Sequence, residues 1–363
     1  MKHYYFLTLL IIYFLTLRVR SCADTEKVQY PLPYTDFYPL IPSLSQSSTI
    51  VRDSFLPFNL LYSLKHSVKK LEAEFKKYAN DHEKNHHHLV LINPSSPRYL
   101  YREGITRLNN GSNPIPLTSM YSSEDRDAST KQMMIPTDIS FRGDGSSWKF
   151  DGYLSGLNSK YETMYHHLEK LFSKSVPLVE EMFASLLSKD EVKLRKKLQA
   201  IFSLKSLTLP STQVKKIAAS NWHREGRKNE KIVATIIYYL DLDNISNATL
   251  SSRVKRRDGG EYIDFSPITT ASNRVVVLPN IYEHRADPFS VDEVGKQGRK
   301  RTIVIFLVDP SGHILSTSDI PEPAGDTEMG GYPDFEESDE NEETKRFQRS
   351  PKDCDYHYTI NLF

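Results

Sequence analysis

The sequence predicts an α+β protein, helical first and β-rich afterwards, and three observations carry that reading. Apolar residues recur at intervals of three and four between 58 and 78 and again between 161 and 201. From residue 221 onward they gather instead into short runs rich in Val, Ile and Tyr. Turn-forming segments such as Asp258-Gly259-Gly260 separate those runs.

The first helix is read from Leu61, Leu64, Val68, Leu71, Phe75 and Tyr78, which form one apolar stripe over 58–78. A short strand is expected over 89–92, with polar loops over 109–130. Met164, Leu168 and Leu171 begin the next helical region, and Pro177 is placed to open a second helix carrying Leu178, Met182 and Leu186. Strands follow over 232–240, 274–278 and 302–308. Residues 24–50, rich in Pro, Tyr and Ser, read as an extended lead-in. Beyond Pro323 the acidic run 334–343 has too little apolar surface to order itself and predicts a largely disordered tail. The predicted organisation is a leader over 1–23, a region of loops and helix over 24–138, a helical segment with a β-domain over 139–323, and the tail over 324–363.

The chain has 363 residues, enough to bury a substantial core. Its 47 Lys and Arg nearly balance 46 Asp and Glu, so no net field recruits a polyanion and nucleic acid is not an expected partner. Lys2 and His3 precede an apolar run over 4–17, and Ser21-Cys22-Ala23 offers small residues for cleavage before Asp24, which is the pattern of a secretory leader. The run is shorter than the roughly 20 residues of a membrane span. The expected location is therefore secreted or the lumen of the endoplasmic reticulum, without stable membrane insertion once the leader is removed. Arg18 and Arg20 behind the run make a signal-anchored membrane protein the alternative. Cleavage leaves Cys354 as the single thiol, so no intrachain disulfide is expected. Glycosylation triplets begin at Asn110, Asn244 and Asn247.

The segment NWHREG sets His223 and Glu225 two residues apart at the mouth of a strand, where alternate side chains share a face. LPNIYEHRADPF brings His284 in just after a second strand. Two imidazoles and one carboxylate leave about three positions of an octahedral ion open. That suits Fe(II) better than structural zinc, which closes with four ligands and favours cysteine. A His-x-Glu motif with paired cysteines, a His-Glu-x-x-His helix and a glycine-rich phosphate loop are all absent from the sequence. The strand GRKRTIVIFLVDP opens with Arg299, Lys300 and Arg301, and a cation there can clamp the distal carboxylate of a dicarboxylic co-substrate. Alternation alone leaves open which of the three faces inward, and a solvated basic turn or a protease processing site is the plainer reading. Lys255, Arg256 and Arg257 read as a solvated loop; His82 and the run His86, His87 and His88 read as a polar loop, with adventitious metal binding the alternative. Trp222 is equally suited to wall a metal pocket or to pack, and Tyr238 and Tyr239 read as core.

Three blocks, SNWHREGRKNEKIVATIIYYLDLDNIS, RVVVLPNIYEHRADPFSV and RTIVIFLVDPSGHILSTSDIPEP, resemble in that order a fungal-rich family known as domain of unknown function 4246. The upstream stretch WKFDGYLSGLNSKYETMYHHLEKLFSKSVPLVEEMF resembles the same family, so the likeness runs from about residue 139 to 323. The family resembles a branch of the double-stranded β-helix dioxygenases that use Fe(II) and 2-oxoglutarate. The resemblance implies a jelly-roll, cupin-like double-stranded β-helix over about 205–320, with a helical N-terminal portion packed against it. It implies His223, Glu225 and His284 as metal ligands. Lys300 falls at the co-substrate position, where the family carries Arg, flanked here by Arg299 and Arg301; a lysine offers a point charge in place of a fork. The implied reaction decarboxylates 2-oxoglutarate to succinate and CO2 while hydroxylating an unidentified small molecule or protein side chain. The segment 250–273 is shorter and more basic than its counterpart, and the N-terminal third shows no counterpart. A non-catalytic secreted binding or effector protein on the same scaffold is the competing reading, and a zinc-dependent hydrolase using the same ligands is a third.

Overall fold

The computed structural model describes residues 47–78, 88–94, 99–102, 105–108, 132–143, 147–195, 197–210, 217–256, 260–320 and 322. The leader, most of the lead-in, His82, His86, His87, Asn110, Arg257 and the acidic tail lie outside them. The chain forms strand β1 (Ile50–Arg52), helix α1 (Phe58–Tyr78), then β2 (His88–Ile92), β3 (Tyr99–Arg102), β4 (Ile105–Leu108), β5 (Gln132–Met133), β6 (Thr137–Phe141) and β7 (Trp148–Phe150). Helix α2 (Glu162–Leu186) and β8 (Lys197–Leu209) follow, then β9 (Ile232–Asp243), β10 (Ile245–Ser246), β11 (Thr249–Lys255), β12 (Tyr262–Asp264) and β13 (Ile268–Thr269). The described chain closes with β14 (Arg274–Pro279), β15 (Glu283–Ala286), β16 (Ser290–Val291) and β17 (Gly298–Val308).

These elements make a mixed α/β fold with antiparallel sheets. The largest sheet runs β1-β14-β9-β17-β8-β6-β7, with β2 also on β8. A smaller sheet is built on β11, which pairs with β12, β13 and β15. β10 pairs with β16, and β3 with β4 and β5. β17 lies at the centre of the large sheet between β8 and β9, and period-two alternation gives it two different faces. Ile303, Ile305 and Leu307 enter the core shared with the helices, while Phe306 and Val308 enter a second core with Met133, Ile135 and Ile201.

Helix α1 forms where its stripe predicts, with Leu64, Val68 and Leu71 buried against the sheet. Helix α2 departs from expectation, because Pro177 lies inside one continuous helix and opens no second one. An interior proline costs about 3 kcal/mol. Phe172, Val176, Val179, Met182 and Phe183 bury apolar surface on both sides of it, and burial of each such side chain contributes about 1.5–3 kcal/mol. Residues 197–201, expected to end the helical region, begin β8 instead, since Leu198, Ala200, Phe202 and Leu204 repeat with period two and enter the core. The expected order of helices followed by strands is also too simple: β1, β2, β6 and β7 come before α2 and complete the large sheet. Asn244, in one glycosylation triplet, donates its side-chain amide to the carbonyls of Glu293 and Lys296, bonds a glycan there would break. Among the described residues no helix is long and apolar enough to cross a membrane.

An ion-pair network fastens α1 to the back of the sheet. Arg301, only 2% exposed, donates to Glu72 through Nε at 2.8 Å and Nη2 at 2.6 Å, and to Asp241 through Nη1 at 3.1 Å. Lys65 of α1 reaches Asp241 at 3.0 Å, and Ser206 donates to Glu72. Burial alone raises the Glu72 carboxyl, yet Arg301 and Ser206 hold it below its ordinary value. Removing one partner of a buried pair costs about 3–5 kcal/mol, whereas replacing both with apolar groups is often neutral. Glu72→Ala is therefore expected to lower stability by about 3 kcal/mol in urea unfolding, and Glu72→Leu with Arg301→Met to recover most of that loss.

Candidate metal centre

Residues 217–223 run antiparallel to the chain around β15 and β16, tied by backbone bonds rather than by a full ladder. Ile217 and Phe289 exchange bonds at 2.8 and 3.2 Å, and Ser220 N–H donates to the Ala286 carbonyl at 2.9 Å. His223 and His284 form the last rung: His223 N–H donates to the His284 carbonyl at 3.1 Å, and His284 N–H to that of His223 at 2.9 Å. Directly opposed residues of such a pair project to one side, so the two imidazoles lie with ring centroids 4.6 Å apart. Glu225, two residues on, returns to the same side. Its Oε1 is 3.5 Å from His223 Nε2 and 3.3 Å from His284 Nε2. One ligand atom from each of the three lies within 4.8 Å of the others.

The loop that aims Glu225 is heavily braced. Asn280, buried just after β14, accepts from Glu225 N–H at 2.9 Å and donates to the Glu225 carbonyl at 2.7 Å and the Ile232 carbonyl at 2.9 Å. Gly226 turns the chain at φ +81°, where a Cβ would lie 2.3 Å from Ile232 Cδ1, so only glycine fits. Glu230, 1% exposed, accepts the backbone N–H groups of Arg227 and Met134 at 2.6 and 2.7 Å.

The donor set suits a metal ion. His223 Nδ1 lies 2.8 Å from the Asn221 carbonyl, which can only accept. The Nδ1 therefore carries a proton, leaving the Nε2 that faces Glu225 free to act as a ligand. His284 is buried, and its Nδ1 has no hydrogen-bond partner among the described residues. Burial alone would raise the Glu225 carboxyl, but His223 and His284 outweigh it and hold the group far below the usual carboxylate range. Burial lowers His223, yet the Glu225 carboxylate leaves it net above its ordinary value. The more deeply buried His284 ends below its own, in spite of the same carboxylate. Three convergent groups, one of them firmly anionic, are what a divalent cation needs in place of protons.

The group opens on a cavity of about 120 Å³ between the two sheets, lined also by His88, Lys205, Ser220, Tyr239, Lys300 and Thr302. Strand alternation separates the three expected cations. Lys300 faces the cavity with Thr302 and Val304. Arg301 points the other way to Glu72 and Asp241, and Arg299 Nη1 lies 4.0 Å from Asp241, so neither arginine lines this cavity. Lys300 Nζ sits 4.5 Å from the centroid of Phe289, and burial together with the charge of Lys205 pushes its ammonium down to about 8. Tyr239 lines the cavity while Tyr238 turns to the opposite side, donating to Asn273 at 2.8 Å. Trp222 packs outside, with the guanidinium of Arg253 4.3 Å and that of Arg285 4.5 Å from its ring centroid. His88, expected in a polar loop, begins β2 and lines the cavity. Lys205 and Asn280 were not singled out by the sequence. A lysine within an apolar period-two run is the one signal for the first, and no local signal marks the second.

A family model described as "Protein of unknown function (DUF4246)" matches residues 33–196, 184–266 and 263–324. The match begins well before residue 139 and brings in the N-terminal third, where no counterpart was expected. No curated protein matches. Among solved structures, the chain is similar to a prolyl hydroxylase from Trichoplax adhaerens, in complex with a hypoxia inducible factor oxygen degradation domain peptide fragment. Identity is 12% and the TM-score 0.34, over 80% of this chain and 96% of that one. It is similar also to a prolyl-4-hydroxylase from Pseudomonas putida, with 12% identity and a TM-score of 0.31 over 75% and 98% of the two chains. Both scores fall below 0.5.

Supporting groups around metal ligands are commonly worth 10–100-fold in affinity. Asn280→Asp keeps an acceptor for Glu225 N–H but loses both donated bonds. It is expected to weaken Co(II) binding, read from the visible absorption of the bound ion, by about tenfold while the three ligands stay in place.

Proposed function

The chain belongs to the DUF4246 family of proteins of unknown function, and from that footing we propose that it is an Fe(II)/2-oxoglutarate-dependent oxygenase, a hydroxylase built on a double-stranded β-helix. The observation that carries the reading is the convergence of His223, Glu225 and His284 on one cavity that Lys300 also lines. Two imidazoles and a carboxylate on one face leave the opposite positions of an octahedral ion for other ligands. In the proposal the large sheet and the β11 sheet are the two walls of the β-helix, and the cavity between them is its mouth.

His223, Glu225 and His284 would hold Fe(II). The bound metal and 2-oxoglutarate supply the oxidising chemistry, in which dioxygen is consumed, the co-substrate becomes succinate and CO2, and a substrate C–H becomes C–OH. The chain's own residues bind and orient. Lys300 would hold the distal carboxylate of 2-oxoglutarate, and Phe289 beside its ammonium keeps that end of the cavity apolar enough to strengthen the pairing. Tyr239, Val304 and Leu250 wall the cavity and limit water around the reacting positions. Asn280 positions Glu225 without touching the ion. The N-terminal pattern of Lys2, the apolar run 4–17 and Ser21-Cys22-Ala23 supports action in the secretory pathway.

Anaerobic titration of the purified chain with Fe(II) and then 2-oxoglutarate is expected to produce the metal-to-ligand charge-transfer absorption of a chelated 2-oxo acid, and His284→Ala to abolish it. A folded sample that binds neither component would sink the oxygenase reading and favour a non-catalytic scaffold. Activity with Zn(II) alone would favour a hydrolase.

The co-substrate affinity carries a second signature. Lys300 must be protonated to hold a carboxylate, and in the free site it loses its proton at about 8. Affinity for 2-oxoglutarate is therefore expected to be flat below that pH and to fall above it by up to tenfold per unit, until the raised value of the bound lysine is reached. Lys300→Met should weaken binding and remove this dependence.

A further inference from the structure

The cavity contains a second cation that the co-substrate does not need. We propose that Lys205 binds an acidic group of the substrate itself, so that the molecule hydroxylated at this centre is an organic carboxylate. The inference rests on the oxygenase reading and names the class of substrate for the same site.

Lys205 lies on β8 and lines the cavity with His223, Glu225, His284 and Lys300. In the sheet register it stands opposite Thr302 of β17, and Lys300 stands opposite Leu207 of β8. The two lysines are therefore diagonal neighbours on one face, with backbones roughly 7–8 Å apart. Both lysines thus line the one cavity on which His223, Glu225 and His284 converge. Among the described residues no carboxylate pairs with it, and the one acidic side chain lining the cavity is Glu225, which belongs to the ligand set.

Charge balance then points to the missing partner. A divalent metal and Lys300 bring three positive charges; Glu225 and the 2-oxoglutarate dianion bring three negative ones. With metal and co-substrate in place the cavity is neutral, and the charge of Lys205 is left over beside a partly desolvated surface. A substrate carboxylate placed next to the open metal positions would pair with that charge. The same contact would hold the substrate at a fixed distance from the metal, which is how a positioning residue contributes to rate.

The test uses the full chain loaded anaerobically with Fe(II) and 2-oxoglutarate, titrated with propionate and with propionamide as its uncharged match, followed by calorimetry and by shifts of the charge-transfer band. Propionate is expected to bind saturably and propionamide not to bind. Lys205→Met should weaken propionate at least tenfold and change the 2-oxoglutarate affinity less than twofold, while Lys205→Arg, which keeps the charge, should retain propionate binding. If Lys205→Met weakens 2-oxoglutarate tenfold, Lys205 belongs to the co-substrate and the inference is overturned. Equal propionate binding by Lys205→Met, or none by the loaded wild-type chain, overturns it as well while leaving the oxygenase reading intact. Failure of the wild-type chain to bind 2-oxoglutarate removes the oxygenase reading and this inference together.

Discussion

The reciprocal backbone pair between His223 and His284 sets two of the three proposed ligands at once. Each residue donates its N–H to the other's carbonyl, so the relative height and facing of the imidazoles are decided by main-chain geometry before any side-chain rotamer is chosen. Glu225 inherits its facing from the same segment by alternation, and Asn280 then locks its backbone from across the loop. A one-residue slip of 217–225 against β15 would turn His223 and Glu225 to the outer surface and bring Trp222 and Arg224 inward. The bridges at Ile217, Ser220 and His223 prevent that slip, and so does Trp222, held between two guanidinium groups on the outside.

The opposite wall depends on β17 in the same way. Its neighbours are both long antiparallel strands, so its register is fixed along almost its whole length. One alternate set of side chains meets α1, where Arg301 is neutralised by Glu72 and Asp241; the other set meets the cavity, where no carboxylate among the described residues pairs with Lys300. Adjacent cations thus acquire opposite roles from a single geometric rule. Arg301 suits the helix side because its planar fork satisfies two carboxylates together, while the compact ammonium of Lys300 fits a narrow apolar recess.

What the sequence revealed follows the range of the interactions concerned. Helix α1 was legible to its ends because its stripe is local and its residues face one core. The convergence of His223, Glu225 and His284 was legible because His-x-Glu on a strand end is itself a geometric statement and His284 follows a recognisable strand. Pro177 misled because local propensity argues for a helix start there, whereas Phe172, Val176, Val179 and Met182 supply the packing that carries the helix through. Which of Arg299, Lys300 and Arg301 faces inward required a reference point, and that point is the pairing with β8 and β9. Asn280 and Lys205 escaped for a related reason: each acts across the chain, on Glu225 55 residues away in the first case and on a cavity formed by two sheets in the second.

The two walls are built to different strengths, and that difference bears on function. The cations stand on the large sheet, among long ladders and beneath two helices. Two of the proposed ligands, His223 and Glu225, stand on a segment joined to its neighbour by isolated bridges. Segments with few ladder bonds open at lower free energy than core strands. A metal ion held by His223, Glu225 and His284, as proposed, would add a cross-link across that weaker join, and its binding energy would appear as local stability of the segment as well as occupancy of the site. A dicarboxylic co-substrate held at its distal end by Lys300, as proposed, would in the same way tie that segment to the far wall of the cavity.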